Sequence, residues 1–207
     1  MNAGAITKAI CANRVHYWLT WIFDTVSPIA LCYVGAKLTT DYSLAACFAV
    51  LASLAAGAFV FTFIEYGLHR WLFHAPASFA APSHREHHHS PRDLAALPFV
   101  LSGLGIFIVW SLASLVVGAP LAFFVAGGTH AAYLFYGALH QLGHRVRIRD
   151  VPVTWLRARW AAHAVHHAQP DRNFGVTTSF WDHVFGTYHP KTSRPATSPR
   201  RAKHMVA

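Results

Sequence analysis

The chain has 207 residues, of which 54% are hydrophobic and only 12% charged, with a formal net charge of +9. A soluble domain is about one-quarter charged, so this composition points to one membrane-embedded domain. It argues against a soluble nucleic-acid binder, because the basic residues flank apolar runs and form no solvated basic face. Cys11, Cys32 and Cys47 lie near or within apolar segments without C-x-x-C spacing, which argues against a disulfide framework, a zinc ribbon and an iron–sulfur cluster.

In chain order, the opening "MNAGAITKAICANRVHYW" lacks a long apolar core followed by a small-residue cleavage site, so no cleaved signal peptide is expected. Segment 18–36 carries Asp24 and Pro28. It is expected to span a bilayer, with a re-entrant or interfacial helix as the alternative. Segments 44–64, 95–117 and 121–139 run without charge and match the roughly 20 residues that a helix needs to cross the hydrocarbon core. Residues 37–43 connect the first two spans, and Gly118, Ala119 and Pro120 form a turn signal between the last two. The expected fold is therefore all-α, with four transmembrane helices in two hairpins. Each hairpin returns to the side it left, which places all but Lys37 of the 17 Lys and Arg residues on one face. The positive-inside rule assigns that face, with both termini, to the cytoplasm.

Ten of the 16 histidines share the same face in four groups: His69 and His74; His84, His87 and His88; His140 and His144; His163, His166 and His167. Residues three or four apart on a helix point the same way, so each triplet and the His140/His144 pair is expected to present convergent nitrogens. His69 and His74, five apart, require either two metals to bridge or an irregular helix. Imidazoles crowded in this way repel one another if protonated and lack partners if buried neutral. A shared metal cluster resolves both problems, and ten ligands suffice for two ions. His16, His89, His130, His183, His189 and His204 are read as ordinary polar anchors. Within the spans only Asp24 and His130 are ionisable, and neither has an obvious partner in sequence. That weighs against a metal transporter, whose site lies near the bilayer midplane.

Imidazole suits zinc, copper, iron and nickel alike. A closed structural zinc site takes four ligands, usually including cysteine. Ten histidines without cysteine better suit two redox-active irons with open positions for oxygen, able to attack an unactivated C–H bond. No paired E-x-x-H pattern is present, so the soluble carboxylate-bridged di-iron bundle is a poor match. Glu65, Glu86, Asp93 and Asp182 are candidates to orient ligand imidazoles from behind; salt bridging or helix capping is the alternative for each. Residues 151–169 predict a helix ending before Pro170; Trp155, Arg157, Arg159 and Trp160 fit an interfacial helix, with an ordinary surface helix as the alternative. Segment 173–187 reads as an ordered loop closing the site, with Trp181 and Phe185 as packing residues. Segment 190–207 is Pro/Ser/Arg-rich and is expected to be a disordered basic tail near anionic headgroups.

Five stretches together resemble the fatty acid hydroxylase superfamily of histidine-box membrane oxygenases, which includes sterol desaturases and carotene hydroxylases. They are "EYGLHRWLFH" (65–74), "HREHHHSPRD" (84–93), "HQLGH" (140–144), "HAVHH" (163–167) and "NFGVTTSFWDHVFGT" (173–187). The E-Y-x-x-H-R-x-x-x-H opening and the H-H-x-x-P-x-D continuation look most like the fatty acid 2-hydroxylase branch. Sterol-type relatives tend to have three residues between the first two histidines, where this chain has four. The resemblance implies a membrane domain over residues 1–189, with a motif-bearing core at 65–187, beneath a cytosolic helical cap. It implies that the ten grouped histidines hold two iron ions, with zinc able to take their place in purified material. It further implies O2 as co-substrate, a fatty acyl lipid as substrate and a separate ferredoxin- or cytochrome-like electron donor, with no nucleic acid involved. Hydroxylation or desaturation of a sterol or carotenoid is the alternative within the superfamily. His89 and His183 receive no ligand role.

Overall fold

The structure is a computed structural model that describes residues 3–94 and 96–190. The expected tail at 190–207 lies, apart from its first residue, outside the described residues. Those residues form helices without a strand: α1 (Ala3–Cys11), α2 (Arg14–Leu38), α3 (Leu44–Gly67), α4 (Ala81–His89), α5 (Phe99–Val117), α6 (Ala119–Gly143), α7 (Thr154–Ala168) and the short α8 (Phe180–Val184). A π-helical turn over Leu68–Phe73 continues α3, and a 3-10 turn over Ile148–Asp150 precedes α7.

Local chemistry sets several of the boundaries. Asn13 caps α2 by accepting from the His16 N–H (2.9 Å), and Ser43 caps α3 by accepting from the Ala46 N–H (3.2 Å). Gly118, at φ 80°, makes the turn between α5 and α6, with Pro120 in the first turn of α6.

α2, α3 with its π-turn, and α5 are long and apolar enough to cross a membrane. Much of their apolar surface faces outward: Val15, Ile22 and Ile29 on α2, Phe48 and Leu51 on α3, Leu115 and Val116 on α5. Such a surface is stable where the surrounding solvent is itself apolar. α6 is as long as α2 and carries no Lys, Arg, Asp or Glu, yet it is not among the three helices apolar enough by this measure. It sits inside the bundle, packed on α2, α3 and α5. Glycines allow the closest crossing. A Cβ on Gly57 would strike the backbone carbonyl of Val125, and one on Gly128 would strike that of Leu54. Thr129 Oγ1 donates across the same crossing to the Gly57 carbonyl (3.0 Å). Small residues opposed in this way let membrane helices pack backbone to backbone.

One expectation about the spans is corrected. Asp24 and His130, 106 residues apart, are each other's partner: His130 Nε2 lies 3.0 Å from Asp24 Oδ1. Ser102 donates to the same oxygen (3.2 Å), and Ser27 Oγ lies 2.9 Å from His130 Nδ1. Burial in a low-dielectric bundle demands this satisfaction, and only the register of α2 on α6 reveals it.

Candidate metal centre

All ten grouped histidines converge at one end of the bundle, in two sets of five. His69, His74, His84, His88 and His166 form the first; His87, His140, His144, His163 and His167 form the second. Within each set, one ligand atom from every residue lies within 4.8 Å of the others. The sets adjoin: the His88 and His167 rings stack with centroids 4.3 Å apart.

The partition differs from the expectation that each triplet acts together. On α4, His84 and His88 enter the first set while His87 enters the second; on α7, His166 enters the first while His163 and His167 enter the second. Helix geometry explains the split. At about 100° per residue, positions four apart nearly eclipse, while the third position falls to the other side. A helix lying between two sites thus supplies an i, i+4 pair to one and a single ring to the other. His69 and His74 meet through the π-turn, whose wider coil nearly aligns residues five apart; the His74 N–H accordingly donates to the His69 carbonyl (3.3 Å).

The rings are buried or half-buried, and this sets their charge. Loss of water holds His74 and His144 down at about 4, His166 and His167 at about 3 and His87 at about 2, with neighbouring imidazoles and, for His144, the Arg145 guanidinium adding to the effect. Desolvation pushes His84, His88 and His163 in the same direction. At neutral pH these rings are uncharged, the form that ligates metal.

Two rings have tautomers that geometry fixes. His69 Nδ1 lies 2.5 Å from the Phe174 carbonyl oxygen, and His166 Nδ1 lies 2.7 Å from that of Arg172. A carbonyl only accepts, so each ring donates from Nδ1 and turns an Nε2 lone pair inward. His69 Nε2 is 3.2 Å from His84 Nε2, and His166 Nε2 is 3.1 Å from His74 Nε2 and 3.2 Å from His88 Nε2.

The segment 173–187 supplies the Phe174 carbonyl, and Arg172 immediately before it supplies the other. Asp182 accepts from the N–H groups of Phe174 (2.8 Å) and Gly175 (2.9 Å) and from the Thr187 hydroxyl (2.7 Å). Glu65 accepts from the N–H groups of Val176 and Thr177 and from the Thr177 hydroxyl. Glu65 and Asp182 therefore do not touch the imidazoles; they hold the backbone that does. Glu86 instead pairs with Lys8 at 2.7 Å, tying α4 to α1, and Asp93 is exposed. Sequence inspection misses Tyr66, whose buried hydroxyl joins Thr187 Oγ1 (3.1 Å) and Arg70 (2.7 Å). Its position in "EYGLH" was the available signal. Trp181 packs on Phe59 and Phe63 and Phe185 stacks on Tyr66, so both are packing residues. The remaining histidines lie outside the sets: His183 stacks on Tyr188, His16 neighbours Thr20, His89 is exposed and His130 pairs with Asp24. His189 is tied through its backbone to Asn173, and His204 falls outside the described residues.

A mainly apolar cavity of about 160 Å³ runs between α2, α3 and α6 up to these rings. Its wall includes Phe61, Phe73 and Leu97 together with His84 of the first set and His87 and His140 of the second.

The fatty acid hydroxylase family model matches residues 54–187. The chain is 30% identical to dihydroceramide fatty acyl 2-hydroxylase FAH2 of Arabidopsis thaliana, over 81% of this chain and 72% of that protein. It is 33% identical to the ceramide very long chain fatty acid hydroxylase SCS7 of Saccharomyces cerevisiae, over 78% of this chain but only 43% of that protein. A solved structure of full-length scs7p, in which only the hydroxylase domain is visible, superposes with a TM-score of 0.68 at 29% identity, covering 84% of this chain and 66% of that one. This chain belongs to the fatty acid hydroxylase family.

Proposed function

We propose that the protein is a membrane-bound, O2-dependent di-iron hydroxylase that inserts one oxygen into a C–H bond of a fatty acyl lipid at the 2-position. The observation that carries this reading is the pair of adjoining five-imidazole sets at the end of an apolar cavity. The names of the relatives support the acyl substrate and the position of attack.

The residues fit two metal ions. The Nε2 lone pairs of His69 and His166 converge with the Nε2 atoms of His84, His74 and His88 at about 3 Å, an all-imidazole donor set that suits a bound cation. Buried His87 Nε2 has no hydrogen-bond partner, which is costly unless a ligand takes it up. The first metal would be held by His69, His74, His84, His88 and His166, the second by His87, His140, His144, His163 and His167. Bound iron supplies the redox chemistry with O2 that an unactivated C–H bond requires. The chain's own residues do the rest. Phe61, Phe73 and Leu97 hold the acyl chain and exclude water, His84, His87 and His140 bring the cavity to both sets, and Glu65 and Asp182 keep the backing loop in place.

In this reading α6 spans the membrane with α2, α3 and α5, and the histidine sets form a cap on the cytoplasmic side. The electrons come from a separate ferredoxin- or cytochrome-like donor. The test is expression in a host lacking 2-hydroxylated lipids, together with such a donor, followed by mass spectrometry of acyl chains. A product heavier by one oxygen, located at C2 and absent with His166→Ala, is expected. Unchanged lipids with a competent donor would sink the assignment, and oxygen found on a sterol or carotenoid would redirect it.

A further inference from the structure

The two histidine sets differ in what holds their rings from behind. In the first, the Phe174 and Arg172 carbonyls fix His69 and His166. The Phe174 carbonyl belongs to a clamped stretch, because four consecutive N–H groups, from Phe174 to Thr177, end on the buried carboxylates of Asp182 and Glu65. Asn173 starts that stretch at φ 50°, held by bonds from its amide to the Ala162 and His189 carbonyls. In the second set, among the described residues, no ring bonds to a carbonyl or a carboxylate. Its contacts run from imidazole to imidazole, His144 to His163 (3.0 Å) and His163 to His167 (3.2 Å), and His163 Nδ1 is buried without a partner.

We propose that the two metal positions are inequivalent: the first is preorganised by the 173–187 segment, with Asp182 and Glu65 as positioning residues, and fills first, while the second fills later and exchanges faster. This rests on the ligand roles proposed above. Groups that orient ligand imidazoles typically carry 10–100-fold in metal affinity, and only the first set has them.

The experiment is a titration of the chelator-stripped full-length chain in detergent with Co2+, followed by ligand-field absorption and by competition with a chromophoric chelator. Two ions should bind in two steps, the first about tenfold or more tighter. Asp182→Asn keeps the side-chain volume but sets an amide donor against a backbone N–H. It should weaken the first step by about tenfold and leave the second step and the helical circular dichroism unchanged. The milder Thr187→Val should shift the same step by less, and His163→Ala should remove only the second step. Two ions taken up in one step of equal affinity, or an Asp182→Asn chain weakened equally in both, would overturn the inequivalence while leaving the metal reading intact. No uptake at all would overturn both.

Discussion

α5 buries only Ser102 and turns Leu115 and Val116 outward at 84% exposure each, whereas at the other end of the molecule His166 and Asp182 are completely covered. The bundle and the histidine end therefore invert the usual distribution of polarity in different ways. In the bundle, apolar side chains face a solvent as apolar as themselves, so burial contributes little and close backbone approach at glycines decides the packing. At the histidine end, many of the buried groups are polar, and those of the first set and its backing loop are placed by the partners they require. Mutations should accordingly act through function at one end and through packing at the other.

The widest contrast is between neighbours on α4. His88 belongs to the first set, while adjacent His89 is exposed and belongs to neither. His88→Ala should lower 2-hydroxylated product by roughly 100-fold or more, while His89→Ala should stay within about twofold of the parent, as surface changes usually do. Quantitative lipid mass spectrometry of the expressing host reads both. Equal losses would mean that the assignment of His88, and not His89, to the metal centre is wrong.

Next in size is the Asp24–His130 pair in the bundle. Asp24→Leu leaves His130 without its partner in a site where its ring is 1% exposed. Leaving a buried donor unsatisfied costs about 1–3 kcal/mol, more where a charged group was its partner, whereas replacing both partners by apolar groups is close to neutral. Thermal unfolding in detergent should therefore find the double variant Asp24→Leu/His130→Leu more stable than Asp24→Leu alone. The opposite order would show that the two residues act independently.

The same pair marks where sequence reasoning stops. Charge-free runs located the helices well: the expected 44–64 became Leu44–Gly67, and the turn at Gly118 stands where the Gly-Ala-Pro signal put it. The ten histidines were legible by spacing alone. Their partition was not, because a triplet's spacing does not say that its helix lies between two sites. Nor was the backing of His69 and His166, since a backbone carbonyl has no side chain to announce it. The Asp24–His130 contact depends on interhelical register, which no local pattern encodes.

Packing in the bundle gives a smaller effect with an internal control. A Cβ at Gly57 meets the Val125 backbone carbonyl, which cannot move aside as a side chain would, whereas a Cβ at Gly105 meets nothing within 4 Å. Gly57→Ala should cost about 1–3 kcal/mol through overpacking. Gly105→Ala should be neutral or stabilise by up to about 1 kcal/mol through helix propensity. Similar melting temperatures for the two variants would contradict the α3–α6 crossing.

The smallest expected effect concerns helix starts, and it separates a bundle helix from a histidine-bearing one. α2 opens on Asn13, whose side chain caps the His16 N–H, while α7, which carries three of the ten histidines, opens on Val153 without a side-chain cap although its backbone is already extended at ψ 112°. What holds α7 is tertiary: Trp160 Nε1 donates to the Leu139 carbonyl (2.9 Å), and His166 is tied to Arg172. Asn13→Ala should cost about 1 kcal/mol, and Val153→Asp should return a comparable gain by supplying the missing cap. Amide hydrogen exchange over residues 154–158 reads the second change directly. Slower exchange there with unchanged metal affinity would mean that the first turn frays independently of the rings. Slower exchange with tighter metal binding would mean that the helix start and the ring positions are coupled through α7.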